Sequence, residues 1–333
     1  SSRSSWLATT GRIRDPMCGL SGAVHTGGNQ PVDELTLVAM RDSLTHRGPD
    51  DAGHWIGPGV ALASRRLAIL DLSRRGRMPM SSPDGRYWIT YNGEVYNFRE
   101  LRAGLEARGH SFVSQSDTEV ILRLFAAEGP AMLQRLNGMF AVAIWDSRER
   151  SLFLARDRLG IKPLYYAMHD GRFVFASEQK ALFAVGIPAR FDPRVWEELL
   201  CFRFVAGEHT VYEGVKRLLP GHYLVWKDGA VTIRRWWNLA ERTRELQEAP
   251  PDDPASWFLE TFDSAVDLRR ISDVPVGVLL SGGLDSSSVA ASLALQAGRG
   301  VASFTVRFSE AGYDEGPLAG EVARLFGLEY HEL

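Results

Sequence analysis

Cysteine is scarce in this chain of 333 residues, which has only Cys18 and Cys201. Two thiols make neither a disulfide framework nor a metal set, so a reducing compartment, the cytoplasm, is expected. Lysine is nearly as scarce, at 162, 180, 216 and 227 only, against many arginines. No sign of charge dominates. The formal net charge of −3 gives no electrostatic reason to expect nucleic acid or an anionic membrane as a partner. Long uncharged apolar runs are also missing: the best candidate, Val274 to Leu295, contains Asp285, so no membrane-spanning segment is expected. The first sixteen residues are rich in Ser, Arg and Thr and have no apolar h-region, so no secretory signal is expected there, while a transit-peptide reading stays open.

What is present suggests two domains. From Cys18 to about Arg203, short apolar runs alternate with tight turns. Asp170-Gly171 separates the strands predicted at Leu164–Ala167 and Arg172–Phe175, and Ser147 to Arg150 separates Phe140–Trp145 from Leu152–Ala155. Helical spacing appears at Asp33–Leu44 and Asp117–Ala127. Antiparallel sheets with helices outside make an α+β layered domain. Residues 206–254 read as a hairpin around Asp228-Gly229 followed by a linker that ends in the Pro-rich Ala249–Pro254. After it come a helix at about Ala255–Arg270 and the apolar run Val276–Leu280, predicted as a strand buried on both faces. Helix, strand and helix follow at Ser287–Gln296, Ala302–Phe308 and Pro317–Phe326, a β-α-β-α order that implies a parallel sheet. A third strand should start where the chain stops, so residues 255–333 are expected to be a truncated domain.

Cys18 directly follows Met17. A terminal α-amine has a pKa near ~8 and a thiol near ~8.5, so a Cys at a chain terminus carries its own general base. Residues ahead of it would turn that amine into a non-basic amide. Residues 1–17 are therefore expected to be upstream sequence and initiator Met, outside the mature fold. Tyr91-Asn92-Gly93-Glu94 follows a strand, where the Asn92 side chain and the Gly93 N–H could face a developing oxyanion. Arg66 offers a planar fork for a carboxylate. Asp117 or Glu94 offers an acceptor for an ammonium. Together these would hold a free α-amino acid.

Each of these residues also has an ordinary reading: Cys18 as a small buried hydrophobe, Asn92-Gly93 as a turn, Asp117 as a helix cap, Arg66 as a surface charge. Their order tips the balance. Met17-Cys18-Gly19, His46-Arg47-Gly48-Pro49-Asp50, Arg66-Leu67, Asn92-Gly93-Glu94 and Ser116-Asp117 resemble class II glutamine amidotransferases. Asn137-Gly138-Met139-Phe140 and Arg156 to Tyr166 resemble the same domain as it is joined to asparagine synthetases. The resemblance implies a four-layer αββα N-terminal-nucleophile fold over 18–205. It implies Cys18 as nucleophile, Asn92 and Gly93 at the oxyanion, and Arg66, Asn92, Glu94 and Asp117 around glutamine.

Ser281-Gly282-Gly283-Leu284-Asp285-Ser286-Ser287 ends a strand and opens a helix. Glycines let backbone N–H groups approach an anion, the helix start adds partial positive charge, and serines add donors. No Gly-Lys-Ser/Thr follows, so this is not a γ-phosphate loop of the Walker type. It resembles the PP-loop of enzymes that split ATP between the α and β phosphates. That implies ATP and pyrophosphate on Ser281, Gly282, Gly283, Asp285 and Ser286, magnesium on Asp285, and adenine beside Val306. The whole pattern is similar to a glutamine-hydrolysing asparagine synthetase. Such an enzyme makes ammonia from glutamine, conducts it through a tunnel to β-aspartyl-AMP formed from aspartate and ATP, and releases asparagine, AMP and pyrophosphate. The resemblance also allows a homodimer. A paralogue that amidates another carboxylate shares every one of these features, because the acceptor pocket would lie beyond Leu333.

Overall fold

The computed structural model describes residues 17–298, 300–310 and 312–333, so the upstream segment expected at 1–16 lies outside the described residues. The chain divides into two compact units, the second running from Ala240 to Leu333.

The first unit opens with β1 (Gly19–His25), α1 (Glu34–Asp42), β2 (Asp51–Gly57), β3 (Val60–Arg66), β4 (Met80–Ser81) and β5 (Tyr87–Val95). Helices α2 (Phe98–Glu106) and α3 (Asp117–Glu128) precede β6 (Gly138–Asp146), β7 (Ser151–Arg156), β8 (Tyr165–His169) and β9 (Arg172–Ala176). Helices α4 (Gln179–Phe183) and α5 (Trp196–Phe202), then β10 (Lys216–Arg217), β11 (His222–Lys227) and β12 (Ala230–Arg235), complete it. Two antiparallel six-stranded sheets result, in the orders β10-β8-β9-β1-β3-β2 and β12-β11-β7-β6-β5-β4.

Strand alternation explains how the sheets stack. Leu20 and Val24 of β1, with Val60 and Leu62 of β3, meet Ala141, Ala143 and Trp145 of β6 and Leu152 and Leu154 of β7 in one buried core. The opposite face of the first sheet (Ala23, Ala61, Ala63, Val174, Ala176) packs under Leu37 and Met40 of α1 and Ala181 and Leu182 of α4. On the second sheet, Phe125 of α3 lies edge-on to Tyr87 of β5 at 5.6 Å and 4.9 Å from Phe153 of β7. The layers are thus helix, sheet, sheet, helix. At roughly 1.5–3 kcal/mol per buried Leu or Val, these layers supply most of the unit's stabilisation. The Asp-Gly turns hold as expected: Asp170, Gly171, Asp228 and Gly229 all have positive φ, the geometry that matches strand twist in a two-residue hairpin.

The hairpin expected in the connecting segment is instead part of this unit. β11 runs antiparallel to β7, with Leu224 opposite Leu154, and β10 pairs with β8. The unit therefore continues past residue 205 to Leu239, because the free edge of β7 needs a partner.

The second unit holds α6 (through Glu248 from Leu239), α7 (Pro254–Leu268), β13 (Gly277–Leu279), α8 (Leu284–Ala297), β14 (Ala302–Thr305), α9 (Gly316–Phe326) and β15 (Glu329–Glu332). The sheet is parallel, in the order β13-β14-β15, as the alternating elements imply. One expectation fails here. β13 is buried on a single face, with Val278 7 % and Leu279 72 % exposed. Val278 and Leu280 pack against α7, α8 and α9 through Val266, Leu293 and Ala319, whereas Leu279 points away from that core.

Candidate active site

Cys18 sits one residue ahead of β1 and shares the period-2 face of Leu20, so its side chain faces the space between the sheets. The thiol accepts a hydrogen bond from the Leu67 N–H at 3.4 Å and donates to the Leu67 carbonyl at 3.6 Å. The Cys18 carbonyl accepts from Arg47 Nε at 3.0 Å, and Arg47 Nη1 donates to Glu178 at 2.8 Å. The His46-to-Asp50 segment thus clamps the Cys18 backbone. Gly48 is required there because a Cβ would lie 2.3 Å from the Arg65 carbonyl carbon. Burial raises Glu178, but hydrogen bonds from Arg47, His46 and Lys180 outweigh it and hold the carboxyl at about 2. Cys18 itself is pushed up by burial, which the Leu67 bond, Arg66 and Lys162 only partly oppose. A thiol raised this way needs a base before it can attack.

The predicted partners converge on that thiol. Cys18, Arg66, Asn92, Gly93, Glu94 and Asp117 line one cavity of about 290 Å³, near the lower end of small-molecule sites. Asn92 faces the first sheet, like its neighbour Thr90, whose hydroxyl donates to the Ala63 carbonyl. It is 1 % exposed, and neither its Oδ1 nor its Nδ2 has a hydrogen-bond partner. Buried amides are almost always paired, so an orphan in a cavity marks a ligand position. Gly93 has a structural demand as well: a Cβ would meet the Met139 carbonyl oxygen at 2.2 Å.

Helix α3 presents Asp117. Ser116, not Asp117, caps it by accepting from the Thr118 N–H, which frees the Asp117 carboxylate to turn inward. There its Oδ2 accepts from the Tyr91 hydroxyl and the Val95 N–H, both at 3.0 Å. Burial raises the Asp117 pKa, with those bonds opposing. Arg66 is 6 % exposed and its Nη groups donate to the carbonyls of Leu70, Asp71 and Ser73, which fixes the loop after β3 as a wall. Those contacts use three of its five N–H donors.

Sequence reasoning missed Tyr91 and Lys162 as cavity residues. Lys162, read as an ion-pair or interface group, is 5 % exposed and lines the Cys18 cavity. Asp157 places it, accepting from the backbone N–H groups of Leu159, Ile161 and Lys162 at 3.1, 2.9 and 2.9 Å. The available signal was the rarity of lysine, Lys162 being one of only four in a chain that mostly uses arginine.

In the second unit, Ser281, Gly282, Gly283 and Ser286 form a turn closed by a 2.8 Å contact between the Ser281 and Ser286 hydroxyls. Gly282 has φ +80°, and a Cβ would lie 2.7 Å from that of Leu318. Gly283 starts α8 with no side-chain cap, and the Ser287 hydroxyl is buried without a partner. Asp285 is exposed in the first turn of α8, and Val306, just past β14, is 42 % exposed. His331 stacks on Phe304 at 5.1 Å, and Tyr330 donates to the Gly316 carbonyl at 3.0 Å. Among the described residues no cluster of His, Cys, Asp or Glu could by itself hold a metal ion, and no helix is long and apolar enough to cross a membrane.

Comparison with known proteins agrees with this division. A family model for the glutamine amidotransferase domain matches residues 17–237, and one for asparagine synthase matches 258–333. The chain is 34 % identical over 316 residues to asparagine synthetase [glutamine-hydrolyzing] 1 of Bacillus subtilis, covering 94 % of this chain and 49 % of that protein. It is 38 % identical over 279 residues to asparagine synthetase [glutamine-hydrolyzing] 3 of the same organism, covering 83 % and 45 %. It is also 32 % identical over 344 residues to the amidase chry2 of Gibberella zeae, covering 95 % and 50 %. The chain spans about half the length of the curated relatives it matches. Among solved structures, glutamine phosphoribosylpyrophosphate amidotransferase of B. subtilis aligns with a TM-score of 0.51 at 18 % identity. That alignment covers 95 % of this chain and 81 % of the other, a likeness of fold.

Proposed function

The chain belongs to the glutamine amidotransferase domain family, and on that premise we propose that it takes ammonia from the side-chain amide of glutamine at Cys18. In this reading the α-amine of a terminal Cys18 takes the thiol proton and the sulfur attacks the amide carbon. The oxyanion collects on Asn92 Nδ2 and the Gly93 N–H. The protonated amine then gives its proton to the departing ammonia, leaving a thioester that water hydrolyses to glutamate. Arg66 receives the substrate's α-carboxylate, and Asp117 with Glu94 receives its α-ammonium. The observation that carries this is the Asn92 amide, buried and unpartnered in the cavity of Cys18. A protein beginning at Cys18 should release glutamate from glutamine, and Cys18→Ala should lower that rate at least ~10³-fold. Equal activity with residues 1–17 still attached would contradict the self-base.

For residues 255–333 we propose the start of a PP-loop domain that binds ATP. The uncapped start of α8, the orphan Ser287 hydroxyl and the glycine at positive φ suit a pyrophosphate. Asp285 would hold the accompanying magnesium. The whole protein would then consume aspartate and ATP and yield asparagine, AMP and pyrophosphate, in the cytoplasm, as a monomer or homodimer. A second reading, amidation of a different carboxylate, is favoured by the 32 % identity to a protein named an amidase. Supplying [¹⁵N-amide]glutamine to the full-length enzyme with candidate acceptors and ATP distinguishes the two.

A further inference from the structure

Lys162 is not needed by the roles assigned above, yet the fold takes trouble to place it. Its backbone N–H donates to Asp157 Oδ2 at 2.9 Å and its carbonyl accepts from Arg156 Nε at 2.7 Å. Arg156 also donates to the carbonyls of Gly160 and Leu218 at 2.6 and 2.8 Å, so the loop is held from both sides. The aliphatic stem then delivers a 5 %-exposed ammonium into the Cys18 cavity, with Nζ 2.8 Å from Met17 Sδ. Met17 immediately precedes Cys18, and the Lys162 charge also acts on the Cys18 thiol, against the effect of burial.

The other charged and titratable groups facing Cys18 are occupied differently. Arg66 on β3 holds the carbonyls of Leu70, Asp71 and Ser73, Arg47 pairs with Glu178, and Asp117 on α3 accepts from Tyr91 and Val95. Tyr91 and Glu94 line the cavity from β5. Resting on the assignment of Cys18 as nucleophile, we propose that Lys162 is a positioning residue whose ammonium keeps the Cys18 amine unprotonated and its sulfur ionisable at neutral pH. The physics is like-charge repulsion: a fixed cation disfavours a second ammonium nearby and favours a thiolate.

The test has two arms, both in a Cys201→Ser background so that one thiol reports. In the full-length chain, the pH midpoint for alkylation of Cys18 by iodoacetamide should rise by about one unit in Lys162→Met and return in Lys162→Arg. In protein beginning at Cys18, the acid limb of kcat/KM for glutamine should move up by about one unit in Lys162→Met, an about tenfold loss at pH 7, and Lys162→Arg should restore it. If Lys162→Met does not fold, Lys162→Gln carries the same comparison. A rate loss with an unmoved acid limb, an unmoved alkylation midpoint, or no rescue by Lys162→Arg would overturn the proposal. If the unsubstituted enzyme releases no glutamate while the alkylation midpoint moves, the glutaminase assignment fails and the role of Lys162 stands.

Discussion

The two units solve burial differently. In the first, both sheets are covered on both faces, by each other inside and by helices outside, and β6 is buried along most of its length. In the second, three helices share one face of a three-stranded sheet, and Leu279 and Phe308 remain 72 % and 53 % exposed. The difference matters for chemistry. A cavity walled by two packed sheets can hold an unpaired amide such as Asn92 in a fixed direction, which is what electrostatic preorganisation requires. The Ser281–Ser286 turn is ordered by its own hydroxyl contacts and by α9 behind Gly282, yet it sits on an open layer.

The sharpest way to break this contrast is at Asn92. Asn92→Ala should lower kcat for glutamine hydrolysis by about 10²–10³-fold with a much smaller change in KM, measured by glutamate release. A loss confined to KM would mean the amide binds ground-state substrate instead. Stability gives the next largest effect. Leu154→Ala, in the inter-sheet core, should cost about 2–5 kcal/mol in urea unfolding, whereas Leu279→Ser on the open face should change stability by less than ~0.5 kcal/mol. Equal costs would show that the two layers are covered alike.

The smallest effect is acid sensitivity of the first unit. Glu178 titrates at about 2 in the folded chain against its ordinary 4.5, so its stabilisation is present above pH 4.5 and is lost as pH falls toward 2. Glu178→Gln should therefore melt lower than the unsubstituted protein at pH 7, by on the order of 1 kcal/mol after allowing for solvent screening. The gap should close between those two pH values, as read by thermal melts. A constant gap would assign the contribution to packing.

Much of this was readable in the sequence. Asp170-Gly171 and Asp228-Gly229 identified hairpins because few other dipeptides tolerate two successive positive φ values. Cys18, Arg66, Asn92, Gly93, Glu94 and Asp117, which share the lining of one cavity, were expected from order and type. Four things were not legible. Helix α2 opens on Asn97, which makes no side-chain cap, and contains Gly104, so its start and propensity signals are weak. The membership of β11 depends on its register with β7, seventy residues away, which no local pattern encodes. The one-sided burial of β13 depends on which elements cover the sheet, and an apolar run does not specify that. Lys162 escaped because lysines usually serve as solvated charges; only the backbone bonds around Asp157 reveal that this one is aimed inward.

The brace from Arg47 to the Cys18 carbonyl has one further result. Cys18 is held from its own C=O onward, by Arg47 at the carbonyl and by the pairing of Gly19 with Arg65 in the strand that follows. A chain that began at Cys18 would keep both holds, so its sulfur would keep its address at the new terminus.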